Sequence, residues 1–196
     1  MKRIVLFSTF TEKNTRAILS AIFPKEIKNK ILAYMPCDGA DSPPRHIKRW
    51  KKYTAEYGAG FRYIDNSQKD GAPEGKKLLE ANILVISGGN PFTLLRNLRR
   101  SGLDQTIHQF VRQPEFVLSG FSAGSMVLTP TIKTTTVKNR NKNLVGITDL
   151  TGLGIINFET FVHHEDKWKK AIQEYEKTSP NEVKKLADDD ILVIDL

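Results

Sequence analysis

Ser122 stands in Gly120-Phe121-Ser122-Ala123-Gly124, with an apolar run, Phe116-Val117-Leu118, ahead of it and small or apolar residues, Ala123 to Leu128, behind it. Strand, tight turn and helix in that order make a nucleophile elbow, G-x-S-x-G, which exposes a serine hydroxyl at the end of a buried strand. The flanking glycines leave room where a Cβ would collide with neighbouring backbone. The helix that follows directs free N–H groups at the same point, which favours a developing oxyanion. The chemistry such a turn supports is acyl transfer, and it needs a base, because a serine hydroxyl at neutral pH is a poor nucleophile by itself.

Four histidines are available, His46, His108, His163 and His164. His46 and His108 fall within helical patterns and read as surface residues. His163 and His164 close an apolar strand, Phe158 to Val162, from which a side chain can reach the elbow. An imidazole with its ordinary pKa of about 6.5 suits a base at neutral pH. A carboxylate must then hold the ring's tautomer. Glu159, Glu165, Asp166 and the Asp188-Asp189-Asp190 run all qualify, and spacing does not choose among them. The loop Gly88-Gly89-Asn90-Pro91 complements the serine, since a glycine pair ahead of a helix lets backbone N–H groups approach a ligand atom. Gly89 N–H and Ala123 N–H are the expected oxyanion donors, with Gly88 and Asn90 as substrate contacts. A plain turn in which Asn90 caps the next helix is the other reading of that loop.

The rest of the chain must place these groups. Arg3–Ser8, Lys30–Met35, Phe61–Asp65, Ile83–Ser87 and the elbow strand read as strands. Between them lie predicted helices: one capped by Thr11 and running to about Phe23, and one capped by Ser42 with Pro43 and Pro44 in its opening turn. The second carries the stripe Ile47, Trp50, Thr54, Tyr57 and stops at Gly58–Gly60. Phe92–Arg100 and Leu103–Arg112 read as two short helices. Thr129–Asn143 reads as loop or exposed strand, Gly152–Val162 as a strand region, Lys167–Lys177 as a helix and Val183–Leu196 as one or two closing strands. Alternating strands and helices predict an α/β fold, a three-layer sandwich with a mostly parallel central sheet. The active site of such a sheet lies beyond the carboxyl ends of its strands, where the Gly88 loop and the Ser122 elbow both fall.

A length of 196 residues predicts one domain over 1–196, and 39% hydrophobic with 27% charged residues suits a globular chain. No apolar run approaches the roughly 20 residues that span a bilayer. The basic start, Met1-Lys2-Arg3, precedes too short an apolar segment for a signal peptide. One cysteine, Cys37, excludes an internal disulfide and a Cys-cluster metal site, and points to a reducing cytoplasm. Its place after the second strand suits a buried or free thiol better than a nucleophile. The formal charge of +8 raises nucleic acid as a partner. The basic clusters His46–Lys52, Arg96–Arg100, Lys133–Arg140 and Lys167–Lys170 are scattered, however, and read as solvated helix faces. No metal or organic cofactor is called for, and a homo-oligomer is compatible with the pattern.

Together, Gly88-Gly89-Asn90-Pro91-Phe92, Gly120-Phe121-Ser122-Ala123-Gly124-Ser125, Pro130-Thr131-Ile132, and Gly152-Leu153-Gly154 followed nine residues later by His163 resemble the aspartyl dipeptidase and cyanophycinase family of serine peptidases. The resemblance spans most of the chain. It implies a class I glutamine amidotransferase-like (flavodoxin-like) fold, with Ser122 as nucleophile and His163 as base. It also implies a serine-type exopeptidase or dipeptidase with a small peptide substrate. The third triad member of the dipeptidase lies in a Leu-Pro-Glu-Gly segment, matched here by Leu186-Ala187-Asp188-Asp189, so the resemblance gives that role to Asp188. Two places depart from the dipeptidase. Val137 stands near the position of an aspartate, and Glu165-Asp166-Lys167-Trp168-Lys169 replaces a Gly-Glu-Thr-Arg segment, with no arginine to fork onto a substrate carboxylate. The same fold also carries other amide hydrolases, with cysteine at the elbow, and can carry a non-catalytic binding protein.

Overall fold

The computed structural model describes residues 1–138 and 141–196, without the side chain of Lys138. The part of the Lys133–Arg140 basic cluster at 138–140 therefore lies outside the described side chains. In chain order the main elements are β1 (Lys2–Phe7), α1 (Thr15–Ile22), β2 (Ile31–Met35), α2 (Pro44–Glu56), β3 (Gly60–Tyr63), α3 (Ala72–Leu79), β4 (Ile83–Ile86), α4 (Pro91–Ser101), α5 (Leu103–Phe110), β5 (Phe116–Phe121), α6 (Ala123–Val127), α7 (Thr134–Lys138), β6 (Glu159–Val162), α8 (Lys169–Glu176), β7 (Val183–Leu186) and β8 (Ile191–Asp195).

Six strands form one sheet in the order β3-β2-β4-β5-β1-β8. The five consecutive strands from β3 to β1 pair in parallel, and β8 closes the edge antiparallel to β1. The central strands are apolar without alternation because both faces are covered. Ile83-Leu84-Val85-Ile86 of β4 is wholly buried. Leu84 and Ile86 join Leu6, Leu118, Leu95, Leu98 and Phe110 on the face packed by α3 to α6. Ile83 and Val85 join Val5, Val117, Ile18, Ile22 and Trp50 on the face packed by α1 and α2. The α/β fold with a mostly parallel central sheet is the one expected.

Several boundaries differ for physical reasons. Thr11 does engage the first helix, but through a reciprocal box that leaves a turn before α1. Thr11 N–H donates to Asn14 Oδ1 at 2.8 Å and Asn14 N–H to Thr11 Oγ1 at 3.3 Å. Ser42 makes no side-chain cap; Pro43 is the cap position of α2, and Pro44 opens the helix, where it has no N–H to leave unsatisfied. The helix α3, absent from the expected elements, opens after Gly71 with Pro73 in its first turn. Within Thr129–Asn143 the structure holds a short helix, α7, because Thr134 and Thr135 are buried rather than exposed. Of the strand region Gly152–Val162 only Glu159–Val162 pairs, in a separate two-stranded parallel sheet with β7.

That small sheet is braced by a buried carboxylate. Glu159 has no exposure and accepts from Tyr175 Oη at 2.5 Å, Asn181 Nδ2 at 2.9 Å and Ser179 Oγ at 3.0 Å. Burial first, and the neighbouring Glu159 carboxylate second, push the Tyr175 phenol above its ordinary pKa. Glu159 is thereby spent on holding β6 to α8 and β7, and does not serve the histidine.

Candidate active site

The register of the large sheet brings three strand ends to one edge. Phe7 pairs with Phe121 and Ile86 with Gly120, so the residues after β1, β4 and β5 share one end of the sheet. Ser122 follows β5 directly and takes φ 50°, ψ −116°, a backbone region uncommon for a side-chain-bearing residue. Such a conformation costs about 1–3 kcal/mol and persists only where the surroundings over-determine it. Here Ser122 N–H donates to Phe7 O at 3.0 Å, and Ser125 Oγ donates to Gly120 O at 2.7 Å, pinning the turn from both sides.

The elbow glycines are required by crowding. A Cβ on Gly124 would sit 2.1 Å from Ile86 O, and one on Gly120 would sit 2.5 Å from Gly124 O. These contacts are with backbone, which cannot swing away. Gly124→Ala is expected to destabilise the fold by about 3 kcal/mol, the upper end of ordinary overpacking costs. A fall in the denaturant midpoint at constant slope would show it.

Ser122, His163 and Asp188 form a continuous row. Ser122 Oγ lies 3.0 Å from His163 Nε2, and His163 Nδ1 lies 2.5 Å from Asp188 Oδ1. His163 follows β6 at φ 52°, and Asp188 lies in the turn after β7, so both come from the small sheet. The histidine side chain is 29% exposed and the aspartate 57%, placing the row at a cleft mouth. A carboxylate on Nδ1 holds the proton there and leaves the Nε2 lone pair toward the serine hydroxyl. Among the carboxylate candidates, Glu159 is buried in its own network, Glu165 pairs with Lys167 at 2.7 Å, and Asp188 is the member of the triple-Asp run that meets the ring. Asp189 instead pairs with Lys13 at 2.8 Å, and Asp190 Oδ2 accepts from Ala187 N–H.

A cleft of about 600 Å³ opens over this row. Gly89, Ala123 and Met126 line one side; Thr134, Thr135, Asn141 and Glu165 line the rest beside His163. Gly89 takes φ 149°, and a Cβ there would lie 2.5 Å from Cys37 Cβ, so only glycine fits between the cysteine and the cleft. Gly88 packs against Ser122 from below, where an added Cβ would come 3.0 Å from Ser122 Cβ. Asn90 is turned to the fold: Oδ1 accepts from Phe92 N–H and Thr93 N–H, and Nδ2 donates to Lys142 O at 2.9 Å. Both ends of that amide are occupied, so the cap alternative describes its side chain and Asn90 is not among the cleft-lining residues. Thr134, Thr135 and Asn141 carried no signal in the sequence, where their run read as exposed. Thr134 Oγ1 donates to Thr160 O at 2.8 Å and Asn141 Nδ2 to Thr135 Oγ1 at 3.3 Å.

Cys37 is 2% exposed and donates to Asn90 O at 3.2 Å. Burial, reinforced by the negative charge of Asp38, pushes its thiol far above the ordinary range. Cys37 is not among the cleft-lining residues, and the elbow position that a cysteine would need is held by Ser122. Among the described residues no cluster of metal-ligating side chains occurs, and no helix is long and apolar enough to cross a membrane.

The family model for peptidase family S51 matches residues 4–195. The chain belongs to peptidase family S51. This S51 peptidase is 26% identical over 186 residues to the uncharacterized peptidase PM1590 of Pasteurella multocida, covering 92% of this chain and 88% of that one. It is 23% identical over 167 residues to the uncharacterized peptidase Lmo0363 of Listeria monocytogenes, covering 85% and 80%. The crystal structure of a protein assigned as peptidase E from Listeria monocytogenes EGD-e superposes with a TM-score of 0.77 over 100% of this chain and 99% of that one, at 20% identity. That last likeness concerns the fold.

Proposed function

We propose that this S51 peptidase is a serine-type enzyme that hydrolyses small peptides through an acyl-enzyme, with exopeptidase or dipeptidase action. The observation that carries the reading is the unbroken row from Ser122 Oγ through His163 to Asp188 Oδ1 along the cleft lining. Ser122 Oγ attacks the scissile carbonyl while His163 Nε2 takes its proton. His163 then returns that proton to the leaving amine, and water enters by the same route to free the acid. Asp188 holds the imidazole in the useful tautomer and stabilises the imidazolium that forms.

Gly89 and Ala123 line the cleft beside the serine, where their N–H groups act as donors to the oxyanion. Ala123 also opens α6, so the free N–H groups of the first turn reinforce that donation. A cleft of about 600 Å³ is the size of a small-ligand site rather than of a groove for a long polypeptide. The free, buried Cys37 agrees with a cytoplasmic enzyme.

The test is release of free amine from a dipeptide library that includes Asp-X and β-linked aspartyl peptides. Cleavage of at least one dipeptide class is expected. Failure across the whole library, with folded protein, would overturn the small-peptide assignment.

A further inference from the structure

Ser122 comes from the large sheet, whereas His163 and Asp188 come from the two-stranded sheet of β6 and β7. No strand pairing joins the two sheets among the described residues. Nothing in either sheet alone therefore sets the distance from the hydroxyl to the imidazole. The segment that follows β1 bridges the gap, and it touches the backbone of all three residues. Phe7 O accepts from Ser122 N–H at 3.0 Å. Ser8, fully buried, accepts from His163 N–H at 2.8 Å and donates to Leu186 O at 2.9 Å. Asn14, 3% exposed, donates through Nδ2 to Asp188 O at 2.9 Å and to Thr9 O at 3.0 Å.

We propose that Ser8 and Asn14 are positioning residues for the reaction: the first sets the histidine, the second the aspartate, both relative to a serine held by the neighbouring Phe7 carbonyl. The proposal rests on the triad reading above. Ser8 has one proton and uses it on Leu186 O, the carbonyl that also receives His164 N–H, so its lone pairs are free for His163 N–H. That bond falls on a residue held at φ 52°, where a non-glycine conformation needs outside support. Asn14 works similarly at longer range. Its Oδ1 takes Thr11 N–H at 2.8 Å and folds the loop on itself, which leaves Nδ2 aimed at the turn that carries Asp188.

Without these bonds the large sheet, the small sheet and the cleft remain, while the row loses its fixed spacing. Misplacement of about 1 Å in such a row can cost on the order of 10²-fold in rate.

The experiment uses the full chain and a fluorophosphonate probe, which phosphonylates an activated serine hydroxyl with loss of fluoride. Ser8→Ala and Asn14→Ala are each expected to slow labelling about tenfold or more, with the probe concentration at half-saturation unchanged. Ser8→Thr, which keeps the hydroxyl, should recover part of the Ser8→Ala loss. Ser101→Ala removes a buried hydroxyl at the far end of α4, where it donates to Asn97 O at 2.8 Å. It is expected to lower the melting temperature without slowing labelling. In a His163→Ala background, Ser8→Ala should add no further loss, because its effect runs through the histidine.

Wild-type labelling rates in both Ser8→Ala and Asn14→Ala would overturn the proposal, as would an equal loss with and without His163. If Ser8→Ala does not fold, Asn14→Ala decides alone. Labelling that survives Ser122→Ala would instead overturn the triad reading itself, so the two failures are distinguishable.

Discussion

Ser122→Ala is expected to abolish turnover, with a loss of roughly 10⁶-fold, the size seen when the nucleophile of such a triad is removed. The substitution deletes one oxygen. It leaves the elbow's backbone bonds, Ser122 N–H to Phe7 O and Met126 N–H to Ser122 O, in place. It also leaves the unusual φ of 50°, which alanine tolerates no better than serine. The melting temperature should therefore move little while activity disappears. The residual rate would come from the Gly89 and Ala123 donors and from binding alone, and such residues of catalysis run about 10³–10⁴ above water. Progress curves on the best dipeptide of the library, with thermal unfolding as control, check both halves. A variant that keeps even a tenth of wild-type turnover would place the nucleophile elsewhere.

Asp188→Asn should cost about 10²–10⁴ in kcat, with KM little changed. The amide is nearly isosteric, so the spacing to His163 Nδ1, 2.5 Å with the native carboxylate, stays close to native. What changes is the proton. A carboxylate accepts only, so Nδ1 must carry hydrogen and Nε2 must be free; an amide can donate to Nδ1 and so stabilise the opposite tautomer, with hydrogen on Nε2. The imidazolium also loses its counter-charge. The side chain of Asp188 is 57% exposed, so water shares in stabilising that cation, and a loss toward the lower end of the range is expected. An Asp188→Asn enzyme with unchanged kcat would remove this residue from the reaction.

Part of this site was readable in the chain because its signals are local. The elbow Gly120–Gly124 sits between a buried strand and a helix, and steric exclusion around a turn is written in consecutive residues. The glycine loop at Gly88-Gly89 announces itself in the same way. The run Ile83-Leu84-Val85-Ile86 marked a strand covered on both faces, and with its neighbours gave the α/β architecture. The stripe Ile47, Trp50, Thr54 and Tyr57 marked the buried side of α2, where Trp50 is 2% exposed.

What the chain by itself determined is therefore the fold class, the serine, the loop that faces it and a short choice of histidines and carboxylates. Spacing makes no choice among Asp188, Glu159, Glu165 and Asp166; the family resemblance pointed to Asp188, and the tertiary structure puts that carboxylate on His163 Nδ1. That placement depends on the pairing of β6 with β7, two short strands separated by a helix, and on a bond made across 25 positions of sequence. Only the tertiary structure shows the Asn90 amide engaged at both ends, by the N–H groups of Phe92 and Thr93 and by Lys142 O. The lining by Thr134, Thr135 and Asn141 was equally invisible, since polar residues at a cleft and on a solvated loop have the same composition. The roles of Ser8 and Asn14 depend on contacts 155 and 174 positions away. A single hydroxyl and a single amide leave no periodicity behind, so bonds of that kind exist as information only after the chain has folded.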